Sequence, residues 1–141
     1  MAGKSSRFTV AVHILTLLAH EEGKATTSDY IAGSVNTNPV VVRRTLGLLA
    51  KAKLVMAVEG AGGGNLLARR ADRITLADVF HAVEQGELFS LPRSRPNPLC
   101  PVGRSVQGVI GQHAADFEKA MDRQMRGVTI ADMLAGIRAA K

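Results

Sequence analysis

The residues able to do more than pack are few in this sequence. They are one cysteine (Cys100), four histidines (His13, His20, His81, His113), an arginine pair (Arg43-Arg44) just after Asn38-Pro39, and the glycine run Gly60-Ala-Gly-Gly-Gly64. A single cysteine excludes an internal disulfide framework. As a catalytic nucleophile, Cys100 would need a histidine base held by a third group and a site for the oxyanion. Nothing in the sequence assembles these, and the histidines show no metal-ligand spacing with Cys100. The glycine run lacks the Gly-Lys-Ser/Thr of a phosphate-binding loop, and a strand rather than a helix follows it, so it reads as a hairpin turn. The arginines offer different chemistry. On a helix in the major groove, arginine bonds guanine bidentately, and valine methyls such as those of Val40 and Val41 meet the methyl of thymine. Each feature also has a plainer reading. The arginines suit a solvated helix face, the glycines suit an ordinary turn, and Cys100 suits a small buried residue at an interface.

These residues depend on the elements around them. Phe8, Val12, Leu15 and Leu18/Ala19 recur at helical spacing and predict a first helix over Ser6–His20, ended by Gly23. Thr26-Thr-Ser-Asp29 has the spacing of a capping box and predicts a short second helix with Tyr30, Ile31 and Val35 as its apolar positions. Asn38 as N-cap and Pro39 at the first helical position open a third helix to about Ala52. Its residues Val42, Leu46 and Leu49 face inward, and Arg43, Arg44, Gly47 and Lys51 lie on other faces. Leu54–Val58 and Leu66–Ala68 flank the glycine run as a β-hairpin. Thr75-Leu-Ala-Asp78 caps a fourth helix to about Gln85, with Ile74 and Val79 spaced as a hydrophobic staple. Four of the five prolines fall at 92, 96, 98 and 101, so residues 86–101 form a loop. A long helix follows over Val102–Arg126. Val106, Ile110, His113, Phe117, Ala120 and Gln124 trace a near-heptad seam along it, flanked by Val109, Met121 and Met125. Thr129-Ile-Ala-Asp132 caps a last short helix ending near Ala139.

The fold class expected is mostly α with one small β-hairpin: a winged helix-turn-helix over residues 1–85, a proline-rich loop over 86–101, and a dimerisation helix with a short C-terminal helix over 102–141. In a winged helix the third helix enters the major groove, so Asn38, Val40, Val41, Arg43 and Arg44 are the candidate base readers. Thr26, Thr27 and Ser28 open the preceding helix, whose N-terminal N–H groups favour phosphate. Gly62, Gly63 and Gly64 form the wing, where absent side chains permit close approach to the DNA backbone.

Charge distribution agrees with this layout. The 141 residues carry a net +6, and residues 1–75 hold ten Lys/Arg against five Asp/Glu while residues 76–141 hold eight against seven. A basic N-terminal half suits a nucleic-acid-facing lobe, although a basic surface kept for solubility would look the same. The longest apolar stretch, Phe8–Ala19, is too short and too polar to span a bilayer, and no small-residue cleavage site follows it. The expectation is a cytoplasmic protein with no membrane partner.

The stretch Ile31-Ala-Gly-Ser-Val-Asn-Thr-Asn-Pro-Val-Val-Val-Arg-Arg44 is followed by Leu54-Val55, Gly60-Ala-Gly-Gly-Gly64, Leu66-Leu67-Ala68-Arg69 and Ile74-Thr-Leu-Ala-Asp-Val79. In order and spacing this resembles the Rrf2 family of bacterial winged-helix transcriptional regulators, over roughly residues 5–125. Gly86-Glu-Leu-Phe89 with Pro96-Asn-Pro-Leu-Cys-Pro-Val-Gly103 resembles a subgroup that keeps one cysteine in that loop. The resemblance implies a homodimer built on the long helix that binds double-stranded DNA at pseudo-palindromic operators, usually to repress. Well-known members hold an iron–sulfur cluster through three loop cysteines and one further ligand. Cluster iron needs several thiolates, so with Cys100 alone no cofactor is expected. Cys100 could instead sense oxidants, because the positive end of a helix dipole favours a negatively charged sulfur and Arg93, Arg95 and Arg104 lie nearby in sequence. Two departures concern the wing. Many members carry Arg where this chain has Glu59, and an aromatic where it has Asn65. Wing contacts are then weaker, or fall to Arg69 and Arg70. Glu59 also keeps open a competing reading: the same fold serving as a protein-interaction module that has lost DNA binding.

Overall fold

The computed structural model describes residues 6–140. The elements run α1 (Arg7–His20), α2 (Ser28–Val35), α3 (Pro39–Lys51), β1 (Val55–Val58), β2 (Gly64–Leu67), a 3-10 turn at Ala71–Arg73, α4 (Leu76–Val83), α5 (Pro101–Arg126) and α6 (Ile130–Ala139). The strands form one antiparallel pair with Val55 opposite Leu67 and Val58 opposite Gly64. The expected fold class holds: the described residues form six helices and a two-stranded hairpin. No helix among the described residues is long and apolar enough to cross a membrane.

The chain divides into two compact units. One runs to Glu84 and takes in the chain from Met125 on; the other is Gln85–Gln124. The first holds the hydrophobic core. Helix α1 lies at its centre and is buried on more sides than a single stripe, with Ala11, Ile14 and Thr16 joining Val12, Leu15, Leu18 and Ala19. The apolar Val12 stripe read from the sequence is therefore only part of its buried surface, because α2, α3, α4 and α6 all pack on α1. Val42, Leu46 and Leu49 bury one face of α3, as their spacing requires. Buried Thr16 and Thr45 donate their hydroxyls to the carbonyls of Val12 and Val41, at 2.7 and 2.8 Å, so neither is an unpaired polar group.

Three local expectations change. The cap of α2 is Thr27, not Thr26: Thr27 Oγ1 accepts from the Tyr30 N–H at 3.2 Å. Tyr30 is not a core residue; it is 56% exposed and its hydroxyl donates to Glu21 at 3.0 Å. The C-terminal helix does not go with the long helix. Ile130 and Leu134 of α6 enter the core beside α1. The start of α6 also pairs with the start of α4. Leu76 N–H donates to Val128 O at 2.8 Å and Ile130 N–H to Ile74 O at 2.9 Å, which bridges Thr75 to Thr129. Both threonines head complete capping boxes, with Asp78 and Asp132. The two boxes match expectation; their side-by-side docking could not be read from spacing.

In the second unit, residues 85–100 form no helix or strand, and α5 begins at Pro101. The loop is tied locally. Leu88 N–H donates to Glu118 Oε1 at 3.1 Å, and the Phe89 and Phe117 rings meet edge to face. None of the described residues of α5 is buried; Val102, Val106, Val109, Ile110 and Phe117 are all exposed.

Candidate DNA interface

Helices α2 and α3 are joined by three residues. Asn36 takes the left-handed conformation (φ 60°), Thr37 N–H returns to Ala32 O at 3.1 Å, and Asn38 caps α3. Asn tolerates a positive φ better than most residues, and it ends α2 abruptly enough for α3 to start at once. The Asn38 side-chain oxygen accepts from the Val40 N–H at 2.8 Å. One lone pair of that oxygen is thus used in capping, while the amide N–H groups are available to a ligand.

Beyond the cap, α3 has two unlike faces. One is buried in the core. On the other, Val40 and Val41 are 50% and 39% exposed, and Arg43 and Arg44 are exposed with no ion pair among the described residues. Adjacent exposed valines are a poor choice for a merely solvated face, and unpaired guanidinium groups beside them leave ten N–H donors without an acidic partner. The arrangement presents apolar methyls and planar donors within the first two turns of one helix. Those are the groups that read thymine methyls and guanine edges.

Thr27 is exposed and Ser28 half-buried at the start of α2, while Thr26 lies buried. Thr26 N–H donates to Asn65 O at 3.0 Å and its hydroxyl to Lys24 O at 3.1 Å. Its donors are thus already engaged, which removes it from the set free to meet phosphate. At the hairpin, residues 59–63 connect the strands and Gly63 N–H closes onto Gly60 O at 3.0 Å. A Cβ on Gly63 would stand 2.2 Å from Val58 O, so Gly63 is required by the turn itself. Gly62 is exposed at the tip. Gly64 is not in the tip: it is the first residue of β2, and a Cβ there would lie 2.6–2.8 Å from the backbone of Thr26. The close approach that Gly64 permits is therefore to the protein's own chain.

Glu59 is exposed beside the tip. Arg69 and Arg70, the alternative wing cations, stand 3.8 Å from Asp78 and 2.7 Å from Asp72. Such exposed pairs are weak and exchange readily for another anion.

Cys100 is exposed just ahead of α5. Its carbonyl accepts from Arg104 N–H at 2.8 Å, and its Sγ accepts from Gly103 N–H at 3.5 Å. The sulfur thus occupies the place of a helix-capping oxygen. Sequence reading missed one concave feature, a groove of about 610 Å³ lined by Phe8, Val12, His13, Leu76, Met133 and Ile137 among others. It became visible only once α6 was placed against α1, and no residue of α3 or the hairpin lines it.

Comparison with known proteins bears on these surfaces. Residues 4–136 match the model of the Rrf2 family, described as an iron-dependent transcriptional regulator. YwnA of Bacillus subtilis (strain 168), named for an HTH-type transcriptional regulator, is 40% identical over 131 residues, 92% of this chain and 96% of the relative. A crystal structure described as that of a DNA-binding protein is 35% identical with a TM-score of 0.72, covering 92% of this chain and 99% of the other. IscR from T. potens has the same fold at 24% identity and a TM-score of 0.70, over 98% of this chain and 90% of its own. The iron in the family description does not fit this donor set. The chain has one thiol, and no three His, Cys, Asp or Glu residues come together as ligands among the described residues. The fold, the exposed α3 face and a match along nearly the whole chain agree: this protein belongs to the Rrf2 family and is a transcriptional regulator built on a DNA-binding winged helix.

Proposed function

We propose that the protein is a homodimeric repressor that binds a pseudo-palindromic operator through α3. The observation that carries this reading is the free face of α3, with Val40, Val41, Arg43 and Arg44 exposed and both guanidinium groups unpaired among the described residues. In this reading the four side chains meet base edges, and the Asn38 amide assists. Thr27 and Ser28 meet phosphate at the start of α2, and Gly62 and Gly63 pass close to the DNA backbone. Dimerisation uses α5, whose apolar seam lacks a buried residue and needs a partner. Two copies related by a two-fold axis present two α3 helices to two half-sites.

The direct test is selection of bound duplexes from random sequence, followed by affinity measured against salt. A two-fold-symmetric site and a steep log–log slope are expected. A slope near zero would overturn the reading in favour of a protein-interaction module with the same fold. Glu59 is the observation that favours that alternative, since a carboxylate beside the wing tip repels phosphate.

The reading extends to control through Cys100, which is solvent-exposed in the loop ahead of α5. Peroxide would convert its thiolate to a sulfenic acid with release of hydroxide, and a second thiol would then give a disulfide and water. Treatment with peroxide should change operator affinity in the wild type and leave Cys100→Ser unchanged. An equal response in the variant would exclude Cys100 as the sensor.

A further inference from the structure

We infer that Asn65 is a positioning residue for DNA binding: its side-chain amide locks the hairpin to the start of α2, so that the wing and the helix pair engage DNA as one rigid body. The inference rests on the DNA-binding reading above. Its pivot is Thr26, which is buried although it belongs to a loop. Thr26 forms a one-residue third strand on the hairpin. Its N–H donates to Asn65 O at 3.0 Å, and its carbonyl accepts twice, from the Asn65 backbone N–H at 2.8 Å and from Asn65 Nδ2 at 3.1 Å. Both lone pairs of that carbonyl are then in use. Gly64 makes the approach possible, since any Cβ there would collide with the Thr26 backbone.

The consequence passes to α2 through one peptide plane. The Thr26 carbonyl and the Thr27 N–H belong to the same trans peptide and point in opposite directions. Fixing the carbonyl therefore fixes the direction of the Thr27 N–H, and Thr27 is the cap that accepts from Tyr30. A two-stranded hairpin is marginal by itself. With a bridge one residue long, the Nδ2 bond is a third of the hydrogen bonding between Asn65 and Thr26 that holds β2 against the chain entering α2. Side chains lacking a donor at 65 would leave the backbone pair intact and loosen the wing.

Asn65→Ala removes the donor, and Asn65→Asp sets an oxygen against the Thr26 oxygen. Both are measured on the duplex selected by the wild type and on a scrambled duplex, with salt titration, hydroxyl-radical footprinting and thermal melting. Expected is about three- to tenfold weaker binding, a shallower salt slope and loss of protection at the outer flanks. The preference for the selected duplex is retained, and Asp is affected more than Ala. Unchanged slope and flank protection in both variants would overturn the inference, whatever happens to the melting temperature. So would an equal loss of protection across the whole site. Failure of the wild type itself to show salt-dependent binding would instead overturn the DNA-binding reading.

Discussion

At the residue scale, Arg43 and Arg44 make the sharpest distinction. Adjacent residues on a helix point about 100° apart, so the two need not share a role. If Arg43 reads a base edge, Arg43→Ala should lose roughly 1–3 kcal/mol on the selected site and much less on random sequence. An equal loss on both would assign it to phosphate. Asn38→Ala tests a different property, since the Asn38 oxygen caps α3. Loss of the cap should lower stability by about 0.5–2 kcal/mol in thermal melting, apart from any effect on DNA. Tyr30 gives a pH prediction. Its hydrogen bond to the Glu21 carboxylate, and then the negative charge of that carboxylate, raise its pKa above the ordinary 10.0. A raised folded value means that the contribution to stability is complete below the ordinary value and is lost as pH rises through the folded one. Tyr30 is the sole tyrosine, so ultraviolet titration of tyrosinate reports on it alone. Glu21→Gln should move the transition to lower pH; an unmoved transition would show that the contact does not persist in solution.

At the element scale, caps and apolar spacing were legible because both are local. Ser/Thr followed three residues later by Asp marked α4 and α6, Asn-Pro marked α3, and the 42/46/49 spacing gave the buried face of α3. What escaped was set by tertiary pairing. Thr26 had the right spacing for a cap, but the hairpin claims its backbone and the cap moves one residue on. Gly64 resembled a wing glycine and proved to be a contact glycine. Tyr30 fell at an apolar position, yet its hydroxyl reaches Glu21 and keeps it at the surface. The docking of α6 yields a prediction at this scale. Ile130 is fully buried in the core shared by α1 and α4, so Ile130→Ala should destabilise the winged-helix unit by about 2–5 kcal/mol even though it lies far from α3 in sequence. A loss under 1 kcal/mol in denaturant unfolding would show that α6 is a detachable appendage.

At the scale of the whole molecule, α5 sets the expectations. Its seam was legible as a near-heptad run, and its exposed Val106, Ile110 and Phe117 fit a surface that a second chain covers. If α5 pairs two copies as proposed, Val106→Glu with Ile110→Glu should shift the protein from dimer to monomer in analytical ultracentrifugation. Operator affinity should then fall by far more than single-arginine variants cause, because the two half-sites no longer bind as one. A monomer already in the wild type would remove the basis for a symmetric operator.

The bridge between Thr75 and Thr129 has a consequence for how the protein is made. The winged-helix unit is discontinuous in sequence, with the whole of residues 85–124 lying between its two parts. During translation, α1 to α4 leave the ribosome before the residues that complete their core. Until Ile130 and Leu134 emerge, the nascent chain holds an open apolar surface on α1. The core of the winged-helix unit is therefore complete only after the long helix has been synthesised.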